Sequence, residues 1–265
     1  MEDPRQCGAD DMMRREELAE IASIRGLSLR NVELDYLLDV CLHTVSRYRR
    51  ALVFKGGTAL YKFHGLDRFS EDLDFVQGKR RLDFEKVRDR VVRSCELLGL
   101  GCVLGRFEKY RNEVNMDLHF RGPLYDGRKE SMTRVAFNVS LRESPREVEV
   151  SFHTSPYREV PAFELHVMSA KEMMAEKVRA IMTRDKPRDV YDLWFLCRKG
   201  ISLDVGLVQR KLKLYDREYT PDALLSAAEA RRGGWRKDLG SLVMRRLPDF
   251  EEVMETLHEQ LFRLP

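Results

Sequence analysis

Apolar residues recur at helical spacing in the first part of the chain, alternate with polar ones in the middle, and return to helical spacing near the end. Residues 12–24 predict a helix stopped by Gly26, and Ser28 predicts the cap of a longer helix with Val32, Tyr36, Leu37, Val40 and Leu42 on its apolar side. Residues 51–54 predict a short buried strand. Thr58 predicts the N-cap of a helix carrying Ala59, Leu60, Tyr61 and Phe63, closed by Gly65. Residues 83–98 predict an amphipathic helix with Phe84, Val87, Val91 and Leu98 inward. Strand-like alternation follows over 102–110, 113–120, 131–142, 148–152 and 162–168. From Ser169, where Ser169 and Glu172 match a capping box, the pattern is helical to the end. The expectation is an α/β (α+β) chain with two domains, a sheet-bearing 1–168 and a helical 169–265, joined near Met168 without a flexible linker.

Composition narrows the function. A hydrophobic content of 43% is ample for a core, and net charge is only +3, so any nucleic-acid surface must come from local clusters. The candidates are Arg47-Tyr48-Arg49-Arg50, Lys79-Arg80-Arg81 and Arg231-Arg232. The cysteines (Cys7, Cys41, Cys95, Cys102, Cys197) are odd in number and lack metal-ligand spacing, and the histidines are scattered. The first residues are polar, and no apolar run approaches the ~20 residues that span a bilayer. A reduced, cytoplasmic protein away from the membrane is the expectation.

The chemistry concentrates in two short runs. Phe54-Lys55-Gly56-Gly57-Thr58 is a glycine turn opening a helix, whose free N–H groups attract phosphate. Ser70-Glu71-Asp72-Leu73-Asp74-Phe75 reads as a strand with Ser70, Asp72 and Asp74 on one face and Glu71 on the other. A rise of ~3.3 Å per residue puts the two aspartate Cα atoms roughly 6.6 Å apart, close enough to share a hard, oxygen-seeking cation such as Mg²⁺. Either run alone is commonplace; their order and spacing point to a seat for a nucleoside triphosphate and its metal.

These residues resemble the nucleotidyltransferase signature of the AbiEii/AbiGii abortive-infection toxins, the toxin halves of type IV toxin–antitoxin pairs within the DNA-polymerase-β-like superfamily. The run Ala175-Glu176-Lys177-Val178-Arg179-Ala180, then Arg184 and Pro187-Arg188-Asp189-Val190-Tyr191-Asp192-Leu193, is similar to later motifs of that family. The resemblance implies a polymerase-β-like core with a mixed sheet flanked by helices, followed by a helical domain. It implies Mg²⁺, with Mn²⁺ as the alternative, on Asp72 and Asp74, and an NTP as substrate. The candidate nucleotide-binding residues are Lys55, Gly56, Gly57, Thr58, Ser70, Arg188 and Asp189. Lys177 and Asp192 join Asp72 and Asp74 as catalytic candidates by motif position. A tRNA acceptor and a winged-helix AbiEi-type antitoxin are the implied partners.

From spacing alone, Lys177 lies on a mostly apolar helix face and needs an anion, which either Asp189, Asp192 or a phosphate satisfies. Pro187 suits a first helical turn, where Asp189 is favoured by the helix dipole, and Asp192 needs Lys177 or Arg188 as partner. The superfamily commonly adds a third acid from a later strand. Here Asn138 stands where that acid is sought, and Asp117 is the other candidate; without either, the base is Asp192 or water. Two further readings stay open: transfer of a nucleoside monophosphate to a protein or small molecule, and a non-catalytic nucleotide-binding regulator.

Overall fold

The computed structural model describes residues 13–78 and 80–262; expectations resting on Met12, Cys7 and Lys79 fall outside them. The described residues within Met1–Ala59 and Glu71–Val167 form one compact unit, and those within Leu60–Ser70 and Met168–Pro265 form a second.

The first unit opens with α1 (Arg15–Arg25), which Gly26 ends in the left-handed conformation at φ 65°. Next comes α2 (Leu29–Val45), whose first turn Ser28 caps by accepting from the Asn31 N–H. A short 3₁₀ turn, Ser46–Tyr48, leads into β1 (Leu52–Lys55). Helix α3 (Gly56–His64) follows, then β2 (Asp72–Gln77) and α4 (Phe84–Leu97), capped by Asp83. The remaining strands are β3 (Gly101–Lys109), β4 (Glu113–Arg121), β5 (Thr133–Ser140), β6 (Val148–His153) and β7 (Phe163–Met168).

Among the described residues, seven strands make one mixed sheet in the order β3-β4-β5-β2-β1-β7-β6. β2 lies antiparallel to β1 and parallel to β5. Alternation then does what the sequence pattern requires. Leu73 and Phe75 of β2 turn to the core, where the Phe75 ring lies 5.1 Å from Phe54 and 6.5 Å, stacked, from Phe137. Asp72 and Asp74 turn to the other face.

The second unit is helical: α5 (Ala170–Thr183), α6 (Pro187–Arg198), α7 (Val205–Lys213), α8 (Pro221–Glu229), the short α9 (Trp235–Leu239) and α10 (Phe250–Phe262). Ser169 caps α5 by accepting from the Glu172 N–H, and Pro187 occupies the start of α6. An aromatic chain of Tyr191, Trp235 and Phe250, with centroids 6.0 and 5.2 Å apart, ties α6, α9 and α10 together. The Lys211 ammonium of α7, 2% exposed, is met by Glu172 at 2.9 Å and Glu176 at 3.0 Å. Among the described residues, no helix is long and apolar enough to cross a membrane.

Candidate active site

In the first unit the acids are positioned by strand pairing. Register sets Asp74 opposite Lys55 of β1 on one side and Asn138 of β5 on the other, and it sets Asp72 opposite Ala136. Both aspartates are half-buried. The Asn138 side-chain amide donates to Asp74 Oδ1 at 3.0 Å, which fixes the rotamer of that carboxylate.

The glycine turn is built around the second oxygen. Gly56 has φ +83°, and a Cβ added there would sit 2.5 Å from Asp74 Oδ2. Only glycine gives both that backbone angle and that approach. The helix therefore begins at Gly56, three residues before the expected first helical residue, Ala59. Thr58 is not its N-cap but lies inside the first turn, where its hydroxyl donates to the Asp72 carbonyl at 2.6 Å. This bond ties the helix start to the strand carrying the acids. A second correction concerns Ser70: the strand starts at Asp72, so alternation does not extend back to Ser70, which is buried and belongs to the second unit.

The donors fit a hard divalent cation: two carboxylates two residues apart on one strand face, one held by a neutral amide and packed on a glycine turn. Neither candidate for a third acid adds to them. Asn138 is an amide donor to Asp74. Asp117 is taken by Arg134 at 2.8 Å and Arg106 at 3.4 Å. No group of three or more His, Cys, Asp or Glu among the described residues is placed to hold a metal.

In the second unit the later motif forms a closed charge cluster. Lys177 Nζ lies 3.0 Å from Asp189 Oδ1 and 2.6 Å from Asp192 Oδ2. Carboxylates thus supply the anion this buried lysine requires. Asp192 receives a bidentate fork from Arg68, Nε to Oδ1 and one terminal nitrogen to Oδ2, both 2.7 Å. The expected alternative partner, Arg188, instead engages Asp238. Arg184 donates to both oxygens of Asp189, at 2.7 and 2.8 Å. Burial pushes the Asp189 carboxyl up, but Lys177 and Arg184 together outweigh it and hold the group well below the usual carboxylate range.

Arg68 was not singled out by sequence reasoning, although it begins the run that leads to Asp72. It is 1% exposed. The segment around it is held firmly within the second unit. Asp67 accepts from the Tyr191 hydroxyl at 2.7 Å, and its carbonyl accepts from the Met244 N–H at 3.0 Å. The Phe69 N–H donates to the Leu242 carbonyl at 2.8 Å.

Comparison with known proteins adds the family context. The model of the nucleotidyl transferase AbiEii toxin family, from type IV toxin–antitoxin systems, matches residues 42–256. Among solved structures, MenT4, the nucleotidyltransferase toxin Rv2826c of Mycobacterium tuberculosis, is similar over 96% of this chain and 91% of its own, at 22% identity and TM-score 0.63. JHP933 of Helicobacter pylori is similar over 89% of this chain and 92% of its own, at 21% identity and TM-score 0.61. At such identities the likeness establishes the fold. No curated protein matches.

Proposed function

The chain belongs to the AbiEii family of nucleotidyltransferase toxins from type IV toxin–antitoxin systems, and from that membership we propose that it moves a nucleotide from an NTP to a hydroxyl of an RNA, a tRNA end in particular, with Mg²⁺ on Asp72 and Asp74. The observation that carries this reading is the packing of Asp74 against the Gly56 turn, which puts an anchored carboxylate beside the N–H groups that open α3.

In the transfer, the acceptor oxygen bonds to the α-phosphorus, the bond from that phosphorus to the bridging oxygen of the β-phosphate breaks, and pyrophosphate leaves. Asp72 and Asp74 would hold a divalent cation, which when bound would supply charge neutralisation at the α-phosphate and the leaving group. The N–H groups at Gly56 and Gly57 orient the phosphates. Asn138 keeps Asp74 turned toward the ligand, and Thr58 keeps the helix start registered on β2.

Both oxygens of Asp192 are occupied by Arg68, and one also meets Lys177. We therefore assign proton removal from the acceptor to water. Lys177 and Asp192 act as positioning residues, locking Arg68, which precedes Asp72 by four residues in the chain. Membership of a toxin–antitoxin family brings an antitoxin as partner, and a winged-helix AbiEi-type regulator is the form we propose.

The test is incubation of the protein with α-labelled NTPs, Mg²⁺, tRNA and cell protein. Label on RNA, lost with chelator and with Asp74→Ala, is the expected result. Label on protein alone would defeat the RNA acceptor. Growth arrest of equal strength from wild type and Asp74→Ala on induction would defeat the catalytic toxin.

A further inference from the structure

Antiparallel pairing of β1 and β2 brings together two basic stretches that lie thirty residues apart in sequence. One residue separates Arg50 from the start of β1, and two separate the end of β2 from Arg80. Leu52 pairs with Gln77 at the end of the ladder, and the Gly78 N–H donates to the Ala51 carbonyl at 2.8 Å. Strand entry and strand exit therefore lie side by side. Arg47, Arg49, Arg50, Arg80 and Arg81, with Tyr48, line one cavity of about 510 Å³.

The charges there are largely uncompensated. Arg49 pairs with Glu164 at 2.8 Å. Among the described residues, Arg47, Arg50, Arg80 and Arg81 have no carboxylate partner, and all four are exposed. The field reaches the neighbouring helix: burial, and after it the Arg47 charge, hold His43 below its ordinary pKa. Like charges held together repel, so such a cavity is most stable with a polyanion in it. Guanidinium forks match phosphate oxygens bidentately, and an aromatic ring beside them offers a stacking surface for a base.

This cavity is not the triphosphate seat. Lys55 and Asp74 pair at one end of the ladder and Leu52 and Gln77 at the other. Three residue-to-residue steps along the strand separate them, about 10 Å at the usual rise.

We propose that this arginine-lined cavity is a second anion site of the first unit, binding the phosphodiester backbone of the RNA acceptor. The proposal rests on the reading of the acceptor as RNA, and it adds the surface that holds it. The site contributes affinity for RNA and nothing to NTP binding. Because phosphate contacts release counterions, it also sets the salt dependence: each neutralised phosphate of a single strand steepens the log–log slope by roughly 0.7, so four arginines account for about 3.

The experiment compares wild type, the variant R47Q/R50Q/R80Q/R81Q, and a charge-matched control, R15Q/R30Q/R90Q/R93Q, altered at exposed arginines elsewhere in the unit. Binding of a labelled RNA hairpin with a single-stranded 3′ end is followed by fluorescence anisotropy across a salt series. Affinity for a non-hydrolysable NTP is measured by calorimetry.

The expected result is at least tenfold weaker RNA binding and a slope lower by about 3 in the cavity variant, with NTP affinity unchanged and the control close to wild type. Equal RNA binding by cavity variant and control would overturn the cavity while leaving the RNA acceptor standing. Failure of the wild type to bind RNA would overturn both. Binding of polyglutamate as tight as that of RNA, lost in the cavity variant, would reassign the cavity to an acidic protein.

Discussion

Asp74 in the first unit differs from Asp189 and Asp192 in the second in how far the fold has already answered its charge. Asp74 is half-buried, held by a neutral amide and packed against a bare glycine turn. Asp189 and Asp192 are 0% exposed and gripped by Lys177, Arg68 and Arg184. An acid tethered by a dipole keeps its full charge available to a cation from solution. An acid forked by guanidinium has spent that capacity on the fold. Carboxylates in one motif family can therefore divide between holding a ligand and holding the chain, and burial together with partner type tells them apart.

The largest effect should come from turning the first pair off. Asp74→Ala should reduce nucleotidyl transfer on the order of 10³-fold, the scale of a lost metal ligand, while leaving the melting temperature nearly unchanged; product formation and a thermal melt read both. Asp192→Ala should show the opposite signature. It strands Arg68 as a buried cation and takes one of the two carboxylates from Lys177, which keeps Asp189, and should cost about 3–5 kcal/mol of stability, seen in urea unfolding. If Asp192→Ala melts like wild type and loses only activity, the division between ligand-holding and chain-holding acids is wrong.

Asn138→Ala sharpens the contrast. It removes the amide that orients Asp74 and should weaken Mg²⁺ affinity about 10–100-fold with little change in stability, as loss of a supporting partner to a metal ligand typically does. A titration of activity against Mg²⁺ measures it.

The smallest effect is on pH dependence. The Asp189 carboxyl is held below its unfolded value, so its stabilisation is complete above about pH 4, the ordinary aspartate range, and is lost as pH falls further toward the folded value. Urea midpoints between pH 7 and pH 3 should fall more steeply for wild type than for Asp189→Asn at the acid end, and should run parallel above pH 5.

Much of this was readable in advance. The alternation that turns Asp72 and Asp74 away from Phe75 follows from a two-residue period, and the caps at Ser28 and Ser169 follow from side-chain chemistry. Gly56 was readable as a turn, but not as the residue that makes room for Asp74, because that needs the register of β1 on β2. The same holds for Asn138: its place beside Asp74 comes from a parallel pairing across 64 residues. Thr58 looked like a cap because Gly-Gly looked like loop, and the positive φ at Gly56 started the helix sooner. Arg68 and Asp192 are 124 residues apart, and no local pattern announces such a partnership. Each basic stretch was visible singly; their meeting depends on how two strands are hydrogen-bonded.

The chain changes units at residues 59–60, 70–71 and 167–168, and the eleven-residue passage between the first two crossings carries Arg68. No single cut of the gene liberates either half whole. A product stopped after residue 167 would retain Arg68 without Asp192, and a product started at 168 would retain Asp192 without Arg68. Either half expressed by itself should therefore fail to fold as a unit unless that short passage travels with the helices.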